Sequence, residues 1–233
     1  MMLNLLTSIK KFLKPYAGKY FGFYFYGRFS YAQEGEDLVV QRLLTDVKKG
    51  FYVEVGCHHP FRFSNTYLFY KNGWRGLCID PLPGTKKIFK RSRPRDITLE
   101  VGVNEQAGVL TYYMFNEPAL NTFDVSVARD RNGSKGYIII DEKLVQVRRL
   151  SEILSDFNDL PAIDILSVDV EGLDLQVLKS NDWDRFRPRI IIAECLSMEI
   201  KDISSDAVYR YLVALNYSAY AKTGHSVIFI SNK

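Results

Sequence analysis

Short apolar runs alternate with stretches of helical spacing through most of this chain, and that alternation is the strongest constraint on what it can fold into. Phe51-Tyr52-Val53-Glu54-Val55 stops at Gly56, and Gly76-Leu77-Cys78-Ile79-Asp80 stops at Pro81; Ile97 to Val101, Ala162 to Val168 and Arg189 to Glu194 repeat the pattern. Around them lie helical segments over Glu36 to Leu44, Asn65 to Lys71, a helix opened by Pro83, Leu173 to Lys179 and Ser205 to Leu215. Strands that alternate with helices predict an α/β fold with a doubly wound, mostly parallel sheet. Tyr217 to Ala221, a Thr223-Gly224 turn and Ser226 to Ser231 predict an antiparallel hairpin at its C-terminal edge. Gly108 to Phe115 and Leu144 to Arg149 read as strands flanking a polar stretch, Asn116 to Gly136, that is an insertion or lid.

With 233 residues, 47% of them hydrophobic and 25% charged, the chain has enough material for one ordinary core. Its net charge of +4 is too small and too interleaved to indicate nucleic-acid binding. Cys57, Cys78 and Cys195 are isolated and odd in number, so neither a disulfide framework nor a zinc knuckle is expected, and a cytoplasmic compartment fits better. Leu5, Leu6, Ile9, Phe12 and Leu13 share one helical face with lysines opposite, and an aromatic stretch runs from Tyr16 to Tyr31. Residues 1–30 are therefore expected to form an appendage, touching a membrane surface or a partner weakly, and residues 31–233 the main folded domain. No apolar run approaches the roughly 20 residues that span a bilayer.

Two strand ends carry the most information. Glu54-Val55-Gly56 closes the first, where open α/β sheets bind ligands and a glycine lets the backbone come close; a strand merely ending in a glycine turn is the alternative. Cys57, His58, His59 and Pro60 follow in place of a GxGxxG phosphate turn, which disfavours dinucleotides and P-loop nucleotides. Asp80 closes the second, placed to accept hydrogen bonds from ribose hydroxyls, or else to serve the turn before Pro81. An adenosine without a pyrophosphate points to S-adenosylmethionine. A third group, Asp169, Glu171 and Glu194, brings carboxylates to the same sheet edge, as a general base or as hard oxygen ligands, on Asp169 and Glu194, for magnesium or manganese.

Several of these pieces stand in a specific order: Ser30-Tyr31-Ala32-Gln33-Glu34-Gly35-Glu36-Asp37, then Tyr52 to Gly56 continuing through His59-Pro60 and Ser64-Asn65-Thr66, Gly73-Trp74-Arg75-Gly76 before Ile79-Asp80-Pro81, and Ser167 to Gly172. Together they resemble the FkbM family of methyltransferases over about Ser30 to Ser231. The resemblance implies a Rossmann-like class I methyltransferase fold, S-adenosylmethionine as donor and O-methylation of hydroxyls on sugars or glycosylated natural products. Glu54 stands where the family often has Asp, which keeps the carboxylate. Carried over to this sequence, Glu54 and Gly56 would line the methionine end of the cofactor, and Asn65 and Thr66 would cap a helix near its carboxylate. Asp80 would hold the ribose, Gly102 would sit by the adenine, and Asp169 and Glu171 would face the acceptor.

Adjacent His58 and His59 cannot both aim at one site from an extended backbone, and His59 is the better candidate base. The basic run Lys86, Lys87, Lys90, Arg91, Arg93 and Arg95 reads as a solvated helix face, or as a contact for the diphosphate of a nucleotide sugar. The polar residues of Asn116 to Gly136 suit a hydroxyl-rich acceptor. The competing functions are an NAD(P)-dependent oxidoreductase, weakened by the missing glycines, and a non-catalytic ligand-binding protein on the same fold.

Overall fold

The computed structural model describes residues 27–195 and 200–233. Those from Tyr31 onward belong to one compact unit, Tyr31–Lys233. The amphipathic helix and most of the aromatic stretch expected near the N-terminus fall on residues outside the described ones. Among the described residues no helix is long and apolar enough to cross a membrane.

The strands are β1 (Phe51–Val55), β2 (Arg75–Ile79), β3 (Ile97–Leu99), β4 (Gly102–Val103), β5 (Gly108–Phe115), β6 (Ile139–Arg148), β7 (Ile165–Val168), β8 (Ile190–Glu194), β9 (Tyr217–Lys222) and β10 (Ser226–Ser231). The helices are α1 (Glu36–Leu43), α2 (Tyr67–Lys71), α3 (Thr85–Ser92), α4 (Val125–Arg131), α5 (Leu150–Ser155), α6 (Asp174–Lys179) and α7 (Ala207–Ala214). Seven strands form the main sheet in the order β3-β2-β1-β7-β8-β10-β9. The first five are parallel, and β10 runs antiparallel to both neighbours. This is the mostly parallel, doubly wound sheet with a C-terminal antiparallel hairpin that the sequence pattern predicts, and the Rossmann-like fold that the resemblance implies.

Period-two alternation divides the strand side chains between two layers. Phe51, Val53 and Val55 of β1 join Leu77, Ile79, Leu166 and Ile191 on one face, under α5, α6 and α7. Tyr52, Cys78, Ile165 and Ile192 face the other way, against Val40 of α1, Phe69 and Tyr70 of α2 and Phe89 of α3. A second sheet, β4-β6-β5, stands apart from the first. In it β6 is longer than the expected Leu144–Arg149, because its charged first half pairs with β5 from Gly108↔Val147 out to Phe115↔Ile139. The polar stretch between these strands holds a 3-10 turn, Pro118–Leu120, and α4, which the Asp124 side chain caps through Ser126 N and Val127 N.

Candidate active site

The order of the main sheet reverses direction of growth at β1, whose neighbours are β2 and β7, and a crevice opens beyond the C-terminal ends of these strands. Gly56 stands at its floor with φ of 81°, and a Cβ there would be driven into the carbonyl oxygen of Asp169. Only glycine lets the two strand ends meet this closely. Gly56 N donates to Ile79 O, and Asp169 N donates to Val55 O at 3.1 Å, so three strand ends are tied at one point.

A cavity of about 80 Å³ opens from this floor, lined by Gly56, His58, Asp80, Val101, Val103, Tyr112, Asn121, Phe123, Asp169 and Glu171 among others. Asp80 is buried and its two oxygens accept His58 N (2.7 Å) and Leu82 N (2.8 Å). Each carboxylate oxygen keeps a further lone pair for a hydroxyl donor. Burial raises the Asp80 pKa, opposed by those two backbone bonds. Tyr112 and Phe123, with ring centroids 4.7 Å apart, form an apolar wall with Val101 and Val103. Gly102 is not itself on the wall: a Cβ there would stand 2.7 Å from the Phe123 ring, so its role is to admit that ring.

A second, larger cleft of about 470 Å³ adjoins the first, and Gln33, Phe63, Asp169 and Glu171 line both. Its far wall carries Asp130, Arg131, Ser134, Lys135 and Tyr137 from α4 and the turn after it. Because Val168 pairs with Ala193, the next residues, Asp169 and Glu194, stand side by side. Asp169 is open to the cleft but surrounded by protein, and burial, then the charges of Glu171 and Glu194, hold its carboxyl well above the usual carboxylate range. Burial, then Asp174 and Glu171, pushes Glu194 up to about 8. Glu171, at φ of 58°, is ion-paired with Arg131, and its carbonyl accepts the Thr122 hydroxyl at 2.8 Å. Asp169 and Glu171 thus stand where the two cavities meet, and the Arg131 ion pair fixes Glu171 in the cleft wall.

Four expectations from the sequence need correction. Glu54 does not line the smaller cavity; alternation turns it to the opposite face of β1, where it is buried and bonded to Thr66 Oγ1 (2.6 Å) and Ser64 Oγ (3.3 Å), 3.5 Å from Arg93 Nη1. Asn65 and Thr66 cap nothing with their side chains. Asn65 Nδ2 donates to Ser167 Oγ at 3.0 Å beside the larger cleft, and Ser64 Oγ accepts the N–H groups of Thr66 and Tyr67 instead. His59 is not at the junction; its Nδ1 accepts Phe61 N and Arg62 N, holding the loop, while His58 faces the cavity because its φ of 44° breaks the extended backbone. The metal expected on Asp169 and Glu194 finds no third ligand: among the described residues no three His, Cys, Asp or Glu side chains are grouped to hold an ion.

Arg93 is the residue that sequence reasoning misplaced most. It is fully buried, not solvated. Its Nε donates to Asp96 Oδ2 (2.6 Å), Nη1 to Pro60 O and Ser64 Oγ (both 3.2 Å), and Nη2 to Tyr52 OH (2.9 Å) and Thr66 Oγ1 (2.7 Å). The loop that forms one wall of the smaller cavity is thus anchored on a buried guanidinium. Arg95 is exposed but lies over the Tyr70 ring and donates to its carbonyl, and neither arginine lines the larger cleft.

No curated protein matches the sequence significantly. Among solved structures, the C-terminal domain of precorrin-6Y C5,15-methyltransferase from Rhodobacter capsulatus is similar over 83% of this chain and 85% of that one, at 10% identity and a TM-score of 0.40. A sequence-family model described as Methyltransferase FkbM domain matches residues 54–219, from β1 into β9. With that match over well more than half of its length, the chain belongs to the FkbM methyltransferase family.

Proposed function

We propose that this methyltransferase uses S-adenosylmethionine to methylate a hydroxyl of a sugar, on a glycan-bound or nucleotide-activated saccharide. The observation that carries the reading is the meeting of two cavities at Asp169. When bound, S-adenosylmethionine supplies a methyl carbon already activated by its sulfonium, so the protein has to contribute alignment and a base. Alignment alone is worth roughly 7–11 kcal/mol in favourable intramolecular cases.

The residues of the smaller cavity fit that cofactor. Asp80 has lone pairs for the ribose hydroxyls, the Tyr112, Phe123, Val101 and Val103 wall suits a flat base, and Gly56 leaves room over the strand ends. At the junction, Asp169 would take the proton from an acceptor hydroxyl, and its raised pKa makes it a stronger base than an unperturbed aspartate. The Arg131 and Glu171 pair orients the cleft, and the hydroxyl, amide and charged groups of Asn65, Asp130, Ser134 and Tyr137 suit a hydroxyl-rich acceptor.

Calorimetric titration with S-adenosylmethionine, its demethylated product and NAD tests the donor. Binding of the first two and not the third is expected; binding of NAD alone would refute the reading. A panel of nucleotide sugars, free glycans and macrolide aglycones with labelled cofactor tests the acceptor. Label confined to aglycones would reject the sugar and leave methyl transfer standing.

A further inference from the structure

Five buried side-chain polar atoms lack a hydrogen-bond partner among the described residues, and three of them belong to two residues that line the cofactor cavity: His58 Nδ1, His58 Nε2 and Asn121 Nδ2. Burying unpaired polar atoms costs stability, so their convergence on one cavity calls for a ligand that completes them.

Both side chains are held in place by other bonds. His58 N donates to Asp80 Oδ2 at 2.7 Å, which locks the histidine beside the carboxylate. Burial, then the nearby Arg62 and His59, lowers the His58 pKa, so the ring is neutral and presents one donor and one acceptor. Asn121 Oδ1 accepts Phe115 N at 2.7 Å, which orients the amide; Nδ2 lies beside the Tyr112 hydroxyl, and with two hydrogens it has at least one left for a ligand. The two loops carrying these residues are joined by a bidentate pair, Arg62 Nη1 and Nη2 to Glu117 Oε1 and Oε2, at 2.9 and 3.0 Å.

We propose that His58 and Asn121 are cofactor-recognition residues that hydrogen-bond the polar edges of the adenosine portion, His58 next to Asp80 at the ribose and Asn121 from the opposite loop. The inference rests on the cofactor reading above. A neutral imidazole is suited to the place, since it adds no positive charge near a sulfonium. The Arg62 and Glu117 pair ties together the two loops that carry these residues.

Titration of S-adenosylhomocysteine into wild-type protein and the variants His58→Phe, His58→Gln and Asn121→Asp tests it, with thermal melting of each protein without ligand. His58→Phe keeps a ring and removes both unpaired nitrogens. It is expected to raise Kd at least tenfold without lowering Tm, and His58→Gln, with a donor and an acceptor, to recover part of the loss. Asn121→Asp keeps the bond to Phe115 N and removes the donors, with at least a tenfold rise in Kd. Wild-type protein that fails to bind refutes the cofactor reading itself. Wild-type binding with His58→Phe weakened less than tenfold, or weakened together with a fall in ligand-free Tm, overturns this inference and leaves that reading intact.

Discussion

Replacing Arg93 with Met tests whether the cofactor loop is anchored as described. The guanidinium is fully buried among the rings of Phe89, Tyr52 and Tyr70, with centroids 5.1 to 5.4 Å away, and it faces the carboxylates of Glu54 and Asp96. Met fills much of the volume but leaves both carboxylates without a counter-charge and the Tyr52, Ser64, Thr66 and Pro60 acceptors without a donor. Breaking a buried pair in this way costs about 3–5 kcal/mol. For a domain of this size each kcal/mol is worth about 2–4 °C, so Tm should fall by roughly 6–20 °C. Scanning calorimetry or circular dichroism reads it. Burial already raises the Glu54 pKa against the pull of Arg93, so losing that pull raises it further. The folded variant then holds its proton above the unfolded value, and its deficit grows as pH rises through that window. A double variant with Glu54→Gln should recover part of the loss. A fall in Tm below about 3 °C would refute the buried anchor.

Gly56→Ala should cost at least about 2 kcal/mol, from the strain of a positive φ and the collision with Asp169 O, and should abolish cofactor binding in whatever protein folds; unchanged titration would contradict the close approach. Because Asp169 must be deprotonated to act as base, kcat/KM should rise with pH through a pKa above the ordinary carboxylate range, and Glu194→Gln, by removing a neighbouring negative charge, should move that limb to lower pH. A limb that does not move would separate the two groups. His59→Ala should keep turnover within a few-fold and lose about 0.5–1.5 kcal/mol of stability for its loop hydrogen bonds, and loss of turnover with Tm unchanged would restore it as a catalytic base.

The sheet was legible because β1, β2, β7 and β8 are short, largely buried on both faces and therefore mostly apolar. The first half of β6 was not, since Asp141, Glu142 and Lys143 face solvent in a ribbon outside the core and carry no period. Asp80, Gly56 and Asp169 could be found as strand ends. Glu54 could not be assigned, because its role depends on Arg93, 39 positions along the chain, and a run of lysines and arginines reads as surface. A signal was present nonetheless: Thr85, Phe89 and Arg93 recur every four residues on the buried face of α3 and its C-terminal cap. The choice between His58 and His59 was invisible, because alternation assumes an extended backbone and His58 has a positive φ.

The most direct measurement is a crystal structure of the full chain with S-adenosylhomocysteine. The account predicts the ribose hydroxyls on Asp80, the adenine between Val101, Val103, Tyr112 and Phe123, and the sulfur facing the opening at Asp169. Ligand bound away from the ends of β1, β2 and β7, or oriented with its sulfur turned from Asp169, would contradict it.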